Sequence, residues 1–294
     1  MTWGRDTDEI EAAEQLRAFL DAGGNLIDTA AVYGDGDSER VIGGFLETLV
    51  PREQIILATK AGITSRANVR TVNTSRAALL GELDKSLGRL GVNEIDLWQV
   101  HTWDENIPLE ETLSALDYAV SSGRVRYVGV SNYSGWQLAR AATLQNPLFG
   151  KTNIISTQSE YSLLNRKVEE EVIPASIEMN IGFLAWSPLG RGVLTGKYRN
   201  GVPSDSRGAS AHFASFVSPY LDGKSKKIVD AVCVASEGLG FSPLEVALSW
   251  VRDSYGVSSA IVGARTAAQL RGALTVEEIT LPDQVRAALD EISI

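Results

Sequence analysis

Three successive apolar segments of this 294-residue sequence end on a residue that can take part in acid–base chemistry: Asp28, Lys60 and His101. Tyr33 lies on the predicted loop just after Asp28. A tyrosine hydroxyl has a pKa of about 10, too high for efficient acid catalysis at neutral pH. A nearby ammonium group lowers that pKa, and a carboxylate paired with the ammonium keeps it charged. With a neutral histidine to orient the substrate, these residue types could protonate a carbonyl oxygen as hydride reaches the carbon.

Each of these residues also has a simpler interpretation. Asp28 could cap a turn, and Lys60 could be a solvated lysine at the end of a strand. His101 could be satisfied by hydrogen bonds within a turn, and Tyr33 could pack with its hydroxyl in water. The catalytic interpretation therefore depends on all four residues falling at one face of three successive strand–helix units.

The elements that would position them are short segments rich in Val, Ile and Leu. Such segments lack strict polar alternation, which is typical of parallel strands covered on both faces. They are Asn25–Ala30, Ile55–Ala61, Ile95–His101, Val125–Ser131, Ile154–Tyr161, Ile181–Leu189 and Ser259–Gly263. The first six begin 27 to 40 residues apart, the length of one strand–helix unit. This spacing predicts an α/β fold, a (β/α)8 TIM barrel occupying residues 1–294 as one domain.

Two features complicate the barrel prediction. Seven strands are visible in the pattern, and an eight-stranded barrel cannot close with one missing. Either Met1–Gly4 is the remnant of a first strand, or another segment fills the gap. The last two predicted strands are also far apart, because a polar loop at Gly190–Gly223 precedes helical stretches near Lys226–Glu237 and Pro243–Arg252. A long loop at the strand-end face is usually functional.

Helix boundaries are readable at two places. Asp6, followed three residues later by Glu9, predicts a capping box at the start of the first helix. Ser75 predicts an N-cap for a helix with a leucine stripe. These helices would cover the outside of the barrel.

Composition limits the classes of partner. Lys and Arg total 27 against 37 Asp and Glu, and the net charge of −10 argues against nucleic acid or an anionic membrane as the main partner.

A single cysteine, Cys233, excludes an internal disulfide, and two histidines, His101 and His212, argue against a histidine-built metal site. No apolar run approaches the ~20 residues that span a bilayer. The first residues lack a signal-peptide pattern, so we expect a cytoplasmic protein without a metal.

Motifs along nearly the whole chain, from about residue 2 to 285, resemble the aldo-keto reductase superfamily. The motifs are Gly24–Ala30, Tyr33-Gly34, Ser38-Glu39, Ala58–Lys60, Asp96-Leu97 leading to His101, Gly129–Asn132, Gln158–Tyr161 and Trp186–Leu189. The resemblance is strongest to bacterial members related to potassium-channel β-subunits, which share the pattern at Trp186–Tyr198.

The resemblance implies NADPH-dependent reduction of a small aldehyde or ketone. Tyr33 would be the general acid, tuned by Lys60 and Asp28, and His101 would orient the carbonyl group. The other implied residues would contact the cofactor: Ser131, Asn132 and Gln158 at the nicotinamide carboxamide, Trp186 on the ring, Ser187, Leu189, Gly192 and Lys197 at the pyrophosphate, Arg207 and Gln269 at the adenosine end, and Gly263 and Arg265 at the corresponding turn.

The residues themselves support phosphate binding. Glycines at 190 and 192 allow the backbone to approach phosphates closely. Lys197, Arg207 and Arg265 put positive charge on late loops of an acidic protein, which suits the 2′-phosphate of NADPH. No strand is followed by Gly-x-Gly-x-x-Gly, so a Rossmann-type site is not expected.

Two departures from the family pattern leave alternatives open. Family members have an N-terminal hairpin and a complete first strand before the Thr2–Gly4 region, and both are missing here. Gly272-Ala273 replaces the Glu-Asn pair that family members often use for adenine, which weakens the preference for NADPH over NADH.

The alternatives are a nicotinamide-binding regulatory subunit with little turnover, a defective barrel, and, least favoured, a metal-dependent hydrolase. The substrate pocket would be shaped by loops, at Trp3, Ile63–Val72, Trp103 and Ala209–Tyr220. No oligomeric state is predicted.

Overall fold

The computed structural model describes residues 2–66, 69–204, 206–210 and 213–294. Within these ranges, seven parallel strands form a nearly closed barrel surrounded by helices, which confirms the predicted (β/α)8 class. The strands are β1 (Leu26–Asp28), β2 (Ile56–Ala61), β3 (Ile63–Arg66), β4 (Val69–Val72), β5 (Ile95–Val100), β6 (Val125–Ser131), β7 (Ile154–Glu160), β8 (Gly182–Trp186) and β9 (Val257–Ile261).

Helices lie on the outside of the barrel and connect its strands. In chain order they are α1 (Glu9–Asp21), α2 (Asp37–Thr48), α3 (Arg76–Leu90), α4 (Leu109–Ser121), α5 (Gly135–Leu144), α6 (Val172–Glu178), α7 (Ala214–Val217), α8 (Gly223–Leu239), α9 (Pro243–Arg252), α10 (Ala267–Leu274) and α11 (Asp283–Ser293). The helical stretches predicted after the long polar loop correspond to α8 and α9.

The sheet order follows the chain, β1-β2-β5-β6-β7-β8-β9, and every neighbouring pair is parallel. All six residues of β5 are buried, as expected for a strand covered on both faces. The inside of the barrel is small, with Ala58, Leu97 and Leu184 as its buried apolar residues. A much larger apolar core lies between the strands and the helices. Burial of each leucine or valine there contributes about 2 kcal/mol, so the outer core holds the barrel wall in place.

The barrel wall is open on one side. Among the described residues, β1 pairs only with β2 and β9 pairs only with β8. The N-terminal residues lie beside the end of β9, where the Thr2 and Thr7 hydroxyls each donate to a backbone carbonyl, Ala264 O and Arg265 O, at 3.3 Å. Thr2–Gly4 form a turn and one isolated bridge rather than a strand, and Met1 lies outside the described residues.

Two local predictions need correction. The first helix begins at Glu9 with Asp8 as its N-cap, and Asp8 accepts a hydrogen bond from Glu11 N at 2.9 Å. Asp6 instead pairs with Arg5 at 2.7 Å, so Asp6 and Glu9 form no capping box. The second correction concerns residues 63–72, which we expected to be a loop. In the structure β3 and β4 form an antiparallel hairpin there, continuing directly from the end of β2.

Candidate active site

Lys60 and Asp28 form a buried ion pair at the carboxyl ends of the neighbouring strands β2 and β1. Lys60 Nζ donates to Asp28 Oδ2 at 2.5 Å and to the backbone carbonyl of Thr29 at 2.8 Å. The lysine side chain has no exposed area. Burial acts to lower the pKa of Lys60, but the Asp28 carboxylate and Tyr33 raise it above its ordinary value. The ammonium group therefore stays charged at neutral pH.

Two amide groups hold the other oxygen of Asp28. Gln158 Nε2 lies 3.1 Å and Gln99 Nε2 lies 3.4 Å from Asp28 Oδ1. The resemblance assigns Gln158 to the nicotinamide carboxamide, whereas the structure places its amide nitrogen on Asp28. Gln99 was missed because it lies within β5, directly beside Lys60 in the strand register. A glutamine in a fully buried strand whose only other polar residue is Asp96 was the available signal.

Tyr33 and His101 lie over this ion pair. Their rings meet edge to face, with centroids 5.8 Å apart, and Lys60 Nζ is 5.5 Å from the centroid of the Tyr33 ring. Tyr33 begins a 3₁₀ helix, Tyr33–Gly36, that follows β1, and His101 directly follows β5. The structure thus brings together the four residues predicted as catalytic.

The electrostatic environment keeps both rings neutral. Burial raises the pKa of Tyr33; the charges of Lys60 and then Arg70 lower it, but not by enough to reverse the direction. The tyrosine hydroxyl therefore keeps its proton at neutral pH, although Lys60 acts in the direction expected from the sequence. Burial, followed by the charges of Lys60 and Arg70, holds the pKa of His101 well below 6.5. A neutral imidazole can donate a hydrogen bond without carrying charge.

A second hydrogen-bond network joins the ends of β5, β6, β7 and β8. Asn132 has a left-handed backbone (φ 57°), and its Nδ2 donates to His101 O at 2.9 Å. Its Oδ1 accepts a hydrogen bond from Trp186 Nε1 at 3.1 Å. Ser131 Oγ donates to Gln158 O at 2.9 Å. Three of the residues predicted to surround the nicotinamide, Ser131, Asn132 and Trp186, therefore lie together next to His101.

A tight turn follows β8 at the predicted pyrophosphate site. Gly190 N donates to Ser187 O and Gly192 N donates to Leu189 O, each at 2.9 Å. Gly192 has φ +90°, and a Cβ added there would lie 3.3 Å from Lys197 Nζ. The glycine therefore lets the lysine ammonium group approach the backbone of the turn, where positive charge and backbone N–H groups suit a phosphate.

Arg191 ties this turn to the loop after it. Its guanidinium binds both carboxylate oxygens of Glu160 at 2.9 and 2.6 Å, and donates to Phe216 O at 2.5 Å. The guanidinium carbon also lies 3.8 Å from the centroid of the Phe216 ring. Phe216 in turn lies parallel to Trp186, with centroids 6.5 Å apart. Arg191 thus holds an aromatic side chain over the predicted nicotinamide site.

Arginines gather at the predicted adenosine end. Burial lowers the pKa of Arg207, and the nearby charge of Arg265 lowers it further. Arg5 and Arg207 lie over the same ring, that of Phe213, at 4.6 and 5.6 Å from its centroid. Arg5 was not predicted at this site, because only the fold brings the N-terminal segment beside β9.

The remaining predicted residues at this end shape its backbone. Gly263 O accepts a long hydrogen bond (3.5 Å) from Arg207 Nη2, and Gln269 Oε1 accepts from Arg265 N at 3.0 Å. Gln269 therefore closes the turn that carries Arg265.

The predicted substrate-shaping residues separate in space. Trp3 packs edge to face on Phe45, and its Nε1 donates to Gln15 Oε1 at 3.0 Å, so it is held against α1 and α2. Trp103 packs edge to face against Tyr133, with centroids 5.2 Å apart.

Some of the predicted residues lie outside the described ranges, and two further expectations concern metal sites and membrane-spanning helices. His212 and Ala211 lie outside them, as do Ala67 and Asn68 of the segment Ile63–Val72. In the part of the chain that is described, no group of three or more His, Cys, Asp or Glu residues could hold a metal ion. No single described helix is long and apolar enough to cross a bilayer; only α8 and α9 taken together, bent by 102°, meet the length and composition required.

Comparison with known proteins identifies the family. The model of the aldo/keto reductase family matches residues 1–294. The aldo-keto reductase YhdN of Bacillus subtilis is 32% identical over 99% of this chain and 85% of its own length. The L-glyceraldehyde 3-phosphate reductase of Escherichia coli O157:H7 is 33% identical over 96% of this chain and 84% of its own. A probable voltage-gated potassium channel subunit beta of Oryza sativa subsp. japonica is 34% identical over 90% and 81%. The chain belongs to the aldo/keto reductase family of oxidoreductases.

Proposed function

We propose that this protein is a cytoplasmic, NADPH-dependent reductase that converts an aldehyde or ketone to an alcohol, with Tyr33 as the general acid. The observation that carries the proposal is the charged Lys60–Asp28 pair buried beside a protonated Tyr33 and a neutral His101. A buried ion pair contributes little to stability compared with apolar packing, so its position under a tyrosine favours a chemical role.

The residues present fit a phosphorylated dinucleotide. Lys197 lies against the glycine turn that follows β8, and Arg5, Arg207 and Arg265 gather beyond it. Like charges that crowd together repel one another, and an anion between them relieves that repulsion. Arginine guanidinium groups also match phosphate geometry.

The reaction can be derived from the chemistry of these side chains. When bound, the reduced nicotinamide supplies the hydride that adds to the carbonyl carbon. The electron pair of the C=O bond moves onto oxygen, which takes the proton of the Tyr33 hydroxyl and so completes the alcohol. The charged Lys60 stabilises the resulting tyrosinate until water returns a proton. His101, held neutral, donates a hydrogen bond that orients the carbonyl oxygen.

Removal of the Tyr33 hydroxyl tests the acid assignment. We expect Tyr33→Phe to lower kcat by roughly 10²- to 10⁴-fold, the usual contribution of a general acid. The dissociation constant for NADPH, measured by quenching of tryptophan fluorescence, should stay within about threefold because phenylalanine keeps the ring. Tyr127→Phe is the matched control, because Tyr127 is exposed on β6. Near-full turnover in Tyr33→Phe contradicts the assignment.

The preference for NADPH depends on the arginines at the adenosine end. We expect Arg265→Ala to lower kcat/KM for NADPH at least tenfold and to change that for NADH by less than threefold, since one charge-assisted phosphate contact contributes about 1.5–3 kcal/mol. Arg271→Ala is the control, because Arg271 is an exposed arginine on α10. Equal losses with both dinucleotides would argue against 2′-phosphate recognition.

A nicotinamide-binding regulatory subunit with little turnover is the second candidate. Similarity to proteins named as probable potassium channel β-subunits favours it. Steady-state NADPH oxidation with a panel of aldehydes, set beside pull-down of a membrane partner, separates the two functions. Turnover without a partner supports the reductase, and a partner without turnover supports the regulatory subunit.

A further inference from the structure

Arg70 has no assigned role, yet it lies at the mouth of the site. It belongs to β4, the second strand of the β3–β4 hairpin. Only Gly62 separates this hairpin from the end of β2, the strand that carries Lys60. Gly62, with φ +104°, makes the turn between β2 and β3. In the hairpin register Arg70 is opposite Ser65, on the same face as Ile63, which is 1% exposed. The exposed Thr64–Thr71 pair lies on the other face, so Arg70 lies on the hairpin face that carries the buried Ile63, although Arg70 itself is exposed, like the rest of β4.

The guanidinium of Arg70 is close enough to act on both reacting rings. Its charge lowers the pKa of Tyr33 and that of His101, two residues on different strand ends. The two rings meet edge to face, so the charge of Arg70 also acts on the space beside them, where the carbonyl oxygen would bind.

The charges at the mouth do not balance. Lys60 and Asp28 neutralise each other, and Tyr33 and His101 are neutral. Arg70 pairs with Ser65 in the strand register, but its side chain makes no hydrogen bond or ion pair with another residue in the described ranges. The Arg70 side chain is exposed, so its guanidinium is accessible to a ligand, and it adds a positive charge near the site of a protein whose net charge is −10.

We propose that Arg70 binds an anionic group of the substrate, so that the preferred substrates are aldehydes or ketones with a carboxylate or phosphate a few bonds from the carbonyl carbon. This inference rests on the proposed carbonyl reduction and names its substrate class. The planar guanidinium donates paired hydrogen bonds that match both carboxylate and phosphate. The chemistry is shared, and the experiment distinguishes the two groups.

The test compares aldehydes that differ in charge and little else. NADPH oxidation is measured with succinic semialdehyde against butanal, and with glyceraldehyde 3-phosphate against glyceraldehyde. We expect the wild-type protein to prefer the charged member of at least one pair. Arg70→Gln should lower kcat/KM for that member about 10- to 100-fold, mainly through KM, because a hydrogen-bonded charge contributes about 1.5–3 kcal/mol. The uncharged member should change by less than threefold.

Two further variants make the result specific. Arg70→Lys keeps the charge and should retain much of the preference for the charged member. Arg140→Gln removes an arginine from α5, on the outside of the barrel where it pairs with Glu110, and should change neither pair. Equal losses for charged and uncharged aldehydes, with a shifted pH profile, would mean that Arg70 acts only on Tyr33 and His101, and would overturn the proposal. No preference in the wild-type protein would overturn it as well.

A binding measurement separates this inference from the proposed function. With NADPH present, 4-hydroxybutyrate or glycerol 3-phosphate should raise the melting temperature of the wild-type protein but not that of Arg70→Gln, while butanol and glycerol should raise neither. If the protein reduces no carbonyl compound but shows this pattern, the proposed reductase fails and the anion site stands. If it reduces neutral aldehydes and no anion raises the melting temperature, only the inference about Arg70 fails.

Discussion

At the scale of single residues, the site combines one charged pair, Lys60 and Asp28, with two neutral rings, Tyr33 and His101. Burial disfavours the charged form of every group in it, and only Lys60 and Asp28 overcome that cost, by pairing at 2.5 Å. Tyr33 and His101 lie beside the same lysine, but neither pairs with a carboxylate of its own among the described residues. Both therefore stay neutral, the state that a proton donor and a hydrogen-bond donor need.

The neutral state of His101 should be visible in stability. Its pKa lies well below 6.5 in the folded protein, so below about pH 6.5 the unfolded chain binds more protons than the folded chain. The stabilisation is fully present above pH 6.5 and is lost as the pH falls toward the folded pKa. We expect urea unfolding of the wild-type protein to lose about 1.4 kcal/mol more than that of His101→Gln between pH 7.5 and 5.5. Identical pH dependence in the two proteins would contradict a buried neutral His101.

At the scale of elements, the sequence predicted the strands that a local run of apolar residues determines. The predicted segments contain all seven barrel strands, except that β9 begins two residues earlier than predicted. The strands could be predicted because parallel strands buried on both faces are continuous apolar runs. The hairpin at β3 and β4 was missed because its exposed residues alternate weakly. Arg5 and Arg70 were missed for a related reason: they reach the site only through tertiary placement, which no local spacing encodes. Gln99 was missed because only strand ends were searched.

The turn after β8 and the α7 loop should behave as one element joined by Arg191. Arg191→Gln removes two hydrogen bonds to Glu160 and the contact over Phe216, leaving a partly buried carboxylate without its partner. We expect faster proteolysis of the α7 loop and a dissociation constant for NADPH raised about tenfold, with kcat at saturating cofactor within threefold.

Arg199→Gln is the matched control for Arg191→Gln. Arg199 lies in the same connection between β8 and α8, but its partner, Asp230, is exposed on α8. The loss of this exposed pair should have little effect on the stability of the protein. Unchanged cofactor affinity and proteolysis in Arg191→Gln would show that Arg191 does not position the loop.

At the scale of the whole molecule, the open side of the barrel and the cationic site lie together. The edge of β9 leads directly into the turn that carries Arg265, and Arg5 reaches the same place from the N-terminal segment. The assignment of residues 1–294 to one domain stays a prediction. A dinucleotide bound there would contact both the turn after β9 and the N-terminal segment, which lie at the open side of the barrel. Its binding should therefore stabilise this part of the barrel wall, which has the fewest hydrogen bonds between strands.

Hydrogen exchange measures this directly. The central strands β5 and β6 pair on both sides, and all of β5 and most of β6 are buried, whereas β1 and β9 each have one strand neighbour in the described ranges. Amides of β1 and β9 should therefore exchange at least tenfold faster than those of β5 and β6, with β2 and β8 in between. Saturating NADPH should slow exchange in β9 and the turn at Gly263–Arg265 while leaving β5 unchanged. Equal protection in all seven strands would mean instead that another segment or a second copy covers the gap in solution.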